Sequence, residues 1–212
     1  VFFDGSCPEA SGVIHRIAFE NEAPCREISN HAYEIQEVTR KYIAFSRVNA
    51  YDRDVIIQVP ICGCYQVMNA EIGLCAAEYL LEGEAIHEER WQEAIRTLRW
   101  EGRMERIAPH MVIDGAHNPG AVVAFVESMK ALRADEGEGP VILFSAVSDK
   151  KYEQMIEYLC RNLNVKAFVV TEVEDRRRVP AEELAQVFRK YTEKRVICEA
   201  KVLEALRAAE DE

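Results

Sequence analysis

The sequence lacks several features that would assign it to a class at once. It has no Gly-x-x-x-x-Gly-Lys-Ser/Thr phosphate loop and no Gly-x-Gly-x-x-Gly dinucleotide fingerprint. No apolar run is long enough to span a membrane, and no charged-then-apolar signal segment opens the chain. Acidic residues outnumber basic ones by 37 to 26, which argues against a general nucleic-acid binder. We therefore expect neither a nucleic acid nor a membrane as a partner.

The seven cysteines also lack the spacing of a disulfide framework. An odd, scattered set of this kind is typical of reduced thiols in a cytoplasmic protein. Cys62 and Cys64 stand closer together than zinc-binding pairs normally do, no second pair exists, and the five histidines are dispersed. We interpret both thiols as structural and predict no metal site.

What is present is an ordinary globular composition. With 212 residues, 49% of them hydrophobic and 30% charged, the chain can form one large or two small domains. It does not begin with Met, and Val1-Phe2-Phe3 has the pattern of a strand entered partway. We expect the chain to be a fragment of a longer protein.

The first half predicts a mixture of helices and a hairpin. After the opening strand, a helix places Ala10, Val13, Ile14 and Ile17 on one face, and residues 21–30 form a connection. The β-rich runs 41–48 and 54–60 flank a polar turn at 49–54, which predicts a hairpin. Two further helices are predicted from the buried sets Ala70, Leu74, Ala77 and Leu81, and Trp91, Ala94, Ile95 and Leu98.

The second half is more regular. Strands are predicted at 111–113, 141–145, 167–171 and 195–199, and they alternate with helices that begin near Pro119, Tyr152, Pro180 and Lys201. Alternating strands and helices indicate parallel βαβ units, and the continuous apolar strands suit burial on both faces. We predict an α/β fold: a Rossmann-like parallel-sheet domain over residues 101–212, preceded over 1–100 by the end of an α/β domain with a hairpin.

The stretch Asp114-Gly115-Ala116-His117-Asn118-Pro119 connects the 111–113 strand, predicted to be buried, to the next helix. Asn118 and Pro119 fit the N-cap and first helical position. Asp114 and His117 therefore fall where a strand ends and a helix begins, which is where open α/β sheets bind ligands. All of these residues are also ordinary turn formers, so the pattern alone leaves both interpretations open.

Together with the upstream Gly102-Arg103-Met104-Glu105, this stretch resembles the start of the C-terminal domain of folylpolyglutamate synthases, which belong to the Mur-ligase superfamily. The resemblance implies an ATP-dependent ligase in which Asp114 and His117 lie against the nucleotide at the junction of two domains. Asp114 would accept hydrogen bonds from ribose hydroxyls or orient the junction, and His117 would lie near the phosphates or the acyl intermediate.

Gln66 and Asn69 lie in a segment that resembles the helix start ending the central ATPase domain of the same superfamily. The resemblance implies that Asn69 contacts the adenine edge, for which an amide is suited because it both donates and accepts. Arg103 would contact a phosphate or the ribose side of ATP. The alternatives are capping or polar surface roles for Gln66 and Asn69, and a surface ion pair of Arg103 with Glu101 or Glu105. Glu101 replaces the proline that the family usually has.

The segment from Phe144 to Lys150 resembles the family segment that ends in Asp-Lys after the second strand. The resemblance implies that Ser145 and Lys150 face the cleft for the incoming amino acid, where Lys150 could attract a carboxylate. The alternative is that Ser148 and Asp149 cap a helix. The run Arg176–Arg178 could bind a polyanion such as a glutamate tail, but we favour a solvated loop that balances neighbouring acidic residues.

The resemblance further implies the reaction, its cofactors and its partners. ATP and Mg²⁺ convert a carboxylate of folate to an acyl phosphate, and L-glutamate then forms the amide in a cytoplasmic, monomeric enzyme. Because the phosphate loop and the family's modified lysine are absent, we expect the 212 residues alone to be inactive. Two alternatives are a fragment of a peptidoglycan Mur ligase and a non-enzymatic α/β binding module.

Overall fold

The computed structural model describes residues 1–48, 55–81, 88–134 and 136–212. Contacts within the chain separate it into two compact units, Val1–Ile113 (unit 1) and Asp114–Glu212 (unit 2). The predicted domain boundary between residues 100 and 101 stays a prediction. In the described part of the chain, no helix is both long enough and apolar enough to cross a membrane.

Unit 1 opens with two parallel strands joined by a helix. β1 (Phe2–Asp4) pairs with β2 (Arg26–Ile28), and α1 (Pro8–Glu20) connects them. The predicted connection at 21–30 therefore contains a strand that is too short to show a hydrophobic period. The apolar face predicted on α1 is largely exposed, with Val13 and Ile17 each 48% exposed.

An antiparallel sheet follows in the order β3 (Tyr33–Val38), β4 (Ile43–Arg47) and β5 (Ile57–Val59). β4 and β5 confirm the predicted pairing, with Phe45 opposite Ile57. The predicted turn at 49–54 lies outside the described residues. β3 is a strand that the sequence did not predict, and four of its six side chains are exposed.

The helix α2 (Tyr65–Leu80) buries a different face from the one predicted. Leu81 is 42% exposed and Ala70 and Ala77 are only half-buried, so of the predicted stripe only Leu74 is buried. The buried side chains are Gln66, Val67, Met68, Glu71, Leu74 and Cys75. The prediction was wrong because it used apolar residues alone. A carboxylate of this helix, Glu71, is buried because it pairs with the buried Arg47 of β4.

Unit 1 ends with α3 (Glu88–Arg96), β6 (Glu105–Ala108) and β7 (Met111–Ile113). Ile95 of α3 is buried and the helix packs against β5, but Leu98 is 48% exposed. Gly83, which the sequence predicts to end the preceding helix, and His87, which it predicts to open α3, lie outside the described residues.

The β6–β7 ribbon corrects the prediction of a buried strand at 111–113. This segment pairs antiparallel with β6, and Val112 and Ile113 are 38% and 45% exposed. An apolar run of three residues does not reveal whether its strand lies inside a sheet or in an exposed ribbon.

Unit 2 contains the regular α/β pattern that the sequence predicts. Its elements are α4 (Pro119–Ala131), β8 (Val141–Phe144), α5 (Tyr152–Asn162), β9 (Ala167–Val170), α6 (Ala181–Tyr191), β10 (Arg195–Cys198) and α7 (Val202–Glu210). The three strands are parallel in the order β10-β9-β8, so each strand lies beside its neighbour in the chain. Asp135, in the loop predicted before β8, lies outside the described residues.

The core of unit 2 is centred on β9. All four of its residues are completely buried, and the rings of Phe168 and Phe188 lie 4.5 Å apart. The ring of Phe144 of β8 lies 5.4 Å from the ring of Phe188, which belongs to α6. The faces predicted for α4, α5 and α6 are confirmed in large part, since they bury Val126, Ile156 and their neighbours. The α/β fold with a parallel sheet is thus the observed fold of this unit.

Candidate functional site

The turn that precedes α4 is built from its own polar side chains. Asp114, half-buried, accepts a hydrogen bond at Oδ1 from the backbone N–H of Ala116 at 2.8 Å. Asn118 accepts one from the N–H of Ala121 at 2.9 Å and so caps α4, with Pro119 in the first turn as predicted. The side chain of His117 lies exposed between these two fixed residues.

The hydrogen bond of His117 determines its tautomer. A carbonyl oxygen only accepts, so Nδ1 carries the proton that it donates to the carbonyl of Gly115, 2.8 Å away. Nε2 of the neutral ring is then an acceptor, and it becomes a second donor when the ring is protonated. Because the N-terminus of a helix favours negative charge, the start of α4 and the protonated ring of His117 together suit an anion.

Gln66 and Asn69 lie one turn apart at the start of α2. Asn69 is exposed and donates from Nδ2 to Oε1 of the buried Gln66 at 2.8 Å. This bond fixes the amide of Asn69 and leaves its carbonyl oxygen and second N–H for another partner. Neither side chain caps the helix, because Cys64 holds the N-cap position and no side-chain hydrogen bond caps the helix there. The alternative of a capping role is therefore wrong.

Arg103 is half-buried in the segment that leads into β6. It forms no ion pair with Glu101 or Glu105, which was the alternative to a ligand-binding role. Glu105 instead accepts a hydrogen bond from the backbone N–H of Gly102 at 2.8 Å. A guanidinium that these two carboxylates do not neutralise suits a phosphate or ribose ligand.

Gln66, Asn69 and Arg103 belong to one region of unit 1. Met104, the neighbour of Arg103, packs against Gly63, and the carbonyl of Gly63 accepts a hydrogen bond from the N–H of Gln66 at 2.9 Å. Met104, the neighbour of Arg103 in the chain, therefore lies at the end of α2 that carries Gln66 and Asn69. Sequence reasoning did not foresee this, since some 35 residues separate the two segments.

In unit 2, Ser145 directly follows β8 and is half-buried. Its loop runs beside the loop after β9, because Val179 donates to the carbonyl of Ala146 at 3.0 Å and Ser148 donates to that of Arg177 at 2.7 Å. Carboxyl ends of parallel strands are where α/β sheets bind ligands. Ser145 therefore lies at the edge of the sheet that suits a substrate.

Lys150 is half-buried at the end of the same loop. The alternative, in which Ser148 and Asp149 cap the helix, is wrong, since Lys151 is the N-cap residue of α5 and no side chain caps it. Asp149 pairs instead with Arg177 at 3.1 Å. Lys150 forms no ion pair with a described residue and suits a carboxylate ligand.

The run Arg176–Arg178 is the solvated loop that we favoured. Arg177 pairs with Asp175 at 3.1 Å, and its hydrogen bonds hold the pKa of that carboxyl below its usual value. Arg178 pairs with Glu172 at 2.9 Å. These ion pairs neutralise two of the three arginines, so the run does not need a polyanion to balance its charge.

Two structural devices near the site escaped sequence reasoning. Glu172 accepts a hydrogen bond from the N–H of Ala181 and so caps α6 from nine residues upstream. In unit 1, the buried Arg47 of β4 pairs with Glu71 at 2.9 Å and also with Glu78 of α2. Burial alone lowers the pKa of Arg47, but the hydrogen bonds that its guanidinium donates to Glu78 and Glu71 outweigh burial and raise the pKa. No local sequence signal marks either device, since the partners are distant in the chain.

Comparison with known proteins places the α/β fold of unit 2 in a class of ligase domains. A family model described as Mur ligase, glutamate ligase domain, matches residues 102–212. That match covers more than half of the chain, and the chain belongs to this family.

The proteins that this chain resembles are named as folylpolyglutamate synthases or FolC. The dihydrofolate synthase/folylpolyglutamate synthase of Bacillus subtilis is 29% identical over 72% of this chain and 36% of its own length. The Mycobacterium tuberculosis folylpolyglutamate synthase, complexed with ADP and AMPPCP, superposes over 96% of this chain and 46% of its own, with a TM-score of 0.82 and 20% identity. Escherichia coli FolC in complex with ADP superposes over 95% of this chain and 45% of its own, with a TM-score of 0.71 and 22% identity. The chain thus spans less than half the length of these relatives. The predicted resemblance to folylpolyglutamate synthases is confirmed.

Proposed function

We propose that the chain is part of a folylpolyglutamate synthase, an ATP-dependent enzyme that adds L-glutamate to folates. The observation that carries the proposal is the fixed, exposed His117 at the positive end of α4, in a segment that belongs to the glutamate ligase family. The names of the relatives, and the ADP and AMPPCP in two of the solved structures, support the substrates.

The reaction has two steps. A carboxylate oxygen of folate attacks the γ-phosphorus of ATP and releases ADP, and the amino group of glutamate then displaces phosphate from the acyl carbon. The described residues of this chain contribute binding and charge to these steps. His117, with Nδ1 held by a carbonyl, presents Nε2 to an anion and, when protonated, donates a hydrogen bond to it.

Unit 1 contributes residues to nucleotide binding. The amide of Asn69, held by Gln66, suits the adenine edge because it has one donor and one acceptor left. Arg103 suits a phosphate or the ribose, since its guanidinium presents forked donors. In unit 2, Asp114 suits ribose hydroxyls or a positioning role, because one of its oxygens already stabilises the turn.

The incoming glutamate is assigned to the edge of the sheet in unit 2. Lys150 would attract one of its carboxylates and Ser145 would donate a hydrogen bond to it. Both side chains are half-buried, which strengthens such contacts relative to those in bulk water.

The proposal also covers the metal, the cellular compartment, the oligomeric state and the activity of the 212 residues alone. Mg²⁺ would neutralise the phosphates, but no cluster of three potential ligands occurs among the described residues, so we assign none of them to the metal. The seven thiols, none of them in a disulfide, suit a cytoplasmic protein. We further propose a monomeric enzyme, and that the 212 residues alone are inactive because they lack the phosphate loop.

The test is a titration of the 212-residue chain with ADP, L-glutamate and a folate, followed by amide chemical shifts. We expect ADP to shift the amides around Asn69, Arg103, Asp114 and His117, with weak affinity of about 1 mM or poorer. We expect glutamate to shift the amides around Ser145 and Lys150. The variants Asn69→Ala and His117→Ala should each weaken the ADP response.

The matched control is Arg176→Ala, which removes an exposed charge that we assign to no ligand. It should leave the ADP response unchanged. A chain that gives no response to ADP at about 10 mM would overturn the nucleotide assignment. Release of ADP from ATP, dependent on folate and glutamate, would overturn the proposed inactivity of the 212 residues.

A further inference from the structure

The segment that leads into β6 adopts an unusual backbone conformation. Gly102 has φ of +65° and Met104 has φ of +47°. The second value is uncommon for a residue with a long side chain, because the left-handed region brings Cβ close to the backbone. Such a conformation persists only when the surroundings hold it in place.

Met104 is held by the turn that opens α2. Its side chain is 1% exposed, and its Cγ lies 3.2 Å from the position that a Cβ on Gly63 would occupy. That same position is 2.8 Å from the ring of Tyr65, so only glycine leaves room for both side chains. Met104 is therefore anchored at the point where α2 begins.

The other side of Arg103 is held as well. Glu105 accepts a hydrogen bond from the backbone N–H of Gly102 at 2.8 Å and closes a short turn around Arg103. Arg106, which directly follows Glu105, lies near Cys62 in the segment before α2. Burial raises the pKa of Cys62, and the positive charge of Arg106 partly offsets this rise. Arg103 thus stands between two residues whose positions are fixed.

We propose that Met104, Gly63 and Glu105 form a linker clamp that positions Arg103 beside the first turn of α2, where Gln66 and Asn69 lie. This inference rests on the proposed nucleotide site and deepens it. The clamp residues touch no ligand themselves and act as positioning residues. Their effect on nucleotide affinity is exerted through Arg103 alone.

A double-mutant cycle tests this dependence. The substitution Met104→Ala removes the anchor, and we expect ADP affinity in the 212-residue chain to fall by about tenfold. In an Arg103→Ala background the same substitution should change affinity less than twofold, because the residue that it positions is gone. Equal losses in both backgrounds would show a merely structural role and would overturn the proposal.

A second readout does not need nucleotide. Relaxation of the Nε–H group of Arg103 measures the mobility of its side chain on the nanosecond timescale. We expect a rigid guanidinium in the wild type and a mobile one in Met104→Ala. If Arg103 is equally mobile in both proteins, the clamp is overturned even though ADP binds. If ADP does not bind at all, the nucleotide assignment fails while this measurement still decides the clamp.

Further variants guard against loss of folding. Glu105→Gln keeps an oxygen that accepts from Gly102, whereas Glu105→Ala does not, so only the second should mobilise Arg103 and weaken ADP. Ile107→Ala is the matched control, since it shortens an apolar side chain of the same ribbon that is 49% exposed. It should leave both readouts unchanged. Loss of ADP affinity in Ile107→Ala equal to that in Met104→Ala would contradict the clamp.

Discussion

The cores of the two units are stabilised in different ways. In unit 2 the central strand β9 is entirely apolar, and α6 packs against it with apolar side chains such as Phe188. In unit 1 the strand β4 is just as buried, yet it ends in Ser46 and Arg47, which are 5% exposed. The arginine is tolerated because Glu71 and Glu78 of α2 surround it.

The difference shows what each kind of core requires. An apolar core is stabilised by any well-packed set of side chains of suitable volume. A buried charge is stabilised only while its partner remains, since the desolvation penalty persists when the partner is removed. Unit 2 should therefore respond to changes of volume and unit 1 to changes of charge.

The largest effect is expected from the aromatic cluster of unit 2. Phe188→Ala removes a completely buried ring that contacts Phe168 and Phe144, and should lower the free energy of unfolding by about 3–5 kcal/mol. Urea unfolding followed by far-UV circular dichroism measures this loss. The control Leu203→Ala, at a side chain that is 71% exposed, should change stability by less than about 0.5 kcal/mol. A loss below about 1 kcal/mol for Phe188→Ala would show that the cluster is not the core.

The matching change in unit 1 is Glu71→Leu, which removes the buried carboxylate that pairs with Arg47. We expect a loss of about 3 kcal/mol. Both tryptophans, Trp91 and Trp100, lie in unit 1, so their fluorescence follows the unfolding of this unit.

The double variant Arg47→Met/Glu71→Leu tests whether this loss comes from charge. Apolar replacement of both partners should recover most of the stability, because the charge that then loses Arg47, Glu78, is 40% exposed and stays hydrated. Removing the exposed partner of Arg96 by Glu93→Ala should cost less than about 0.5 kcal/mol. A double variant as unstable as Glu71→Leu would show that packing, rather than charge, explains the effect.

The same contrast explains how much of the fold the sequence could predict. In unit 2 each strand is a continuous apolar run and each helix has a 3.6-residue period, so the elements, most of the buried faces and the parallel direction of the strands followed from local rules. In unit 1 the burial of Glu71 depends on Arg47, which is 24 residues away. Local periodicity does not contain that information, and the predicted face of α2 was wrong as a result.

The candidate site was predictable to a similar extent. Asn118 and Pro119 follow capping rules that operate within a few residues, and the structure confirms them. The contact of Met104 with Gly63 joins segments about 40 residues apart and was not predictable. The ligands of Asn69 and Arg103 stay predictions, because they come from the family resemblance rather than from local physics.

A smaller effect is expected at the cap of α4. Asn118→Ala removes the acceptor for the N–H of Ala121 and should destabilise unit 2 by about 1 kcal/mol. Asn118→Ser, which supplies another good cap, should recover most of the loss in the same urea experiment. If Asn118→Ser lowers the free energy of unfolding as much as Asn118→Ala does, the side chain of Asn118 has a role other than capping.

The smallest effect concerns a buried thiol in each unit. Burial, with the nearby charge of Glu71, raises the pKa of Cys75 in unit 1 from 9.0 to about 11, and burial raises that of Cys160 in unit 2 to about 11. Above pH 9 the unfolded chain loses a proton that the folded chain keeps. Each thiol therefore contributes stability that is complete below pH 9 and is lost as the pH rises towards 11.

Solvent screening should keep each contribution below about 1 kcal/mol. We expect Cys75→Ala to flatten the pH dependence of the tryptophan-detected transition, because that transition follows unit 1. Cys160→Ala should flatten only the part of the circular dichroism transition that belongs to unit 2. The exposed Cys7 provides the control, since Cys7→Ala should alter neither profile. Either variant changing both transitions equally would show that the two units unfold together, and the comparison of separate cores would then have to be replaced by one of a single cooperative structure.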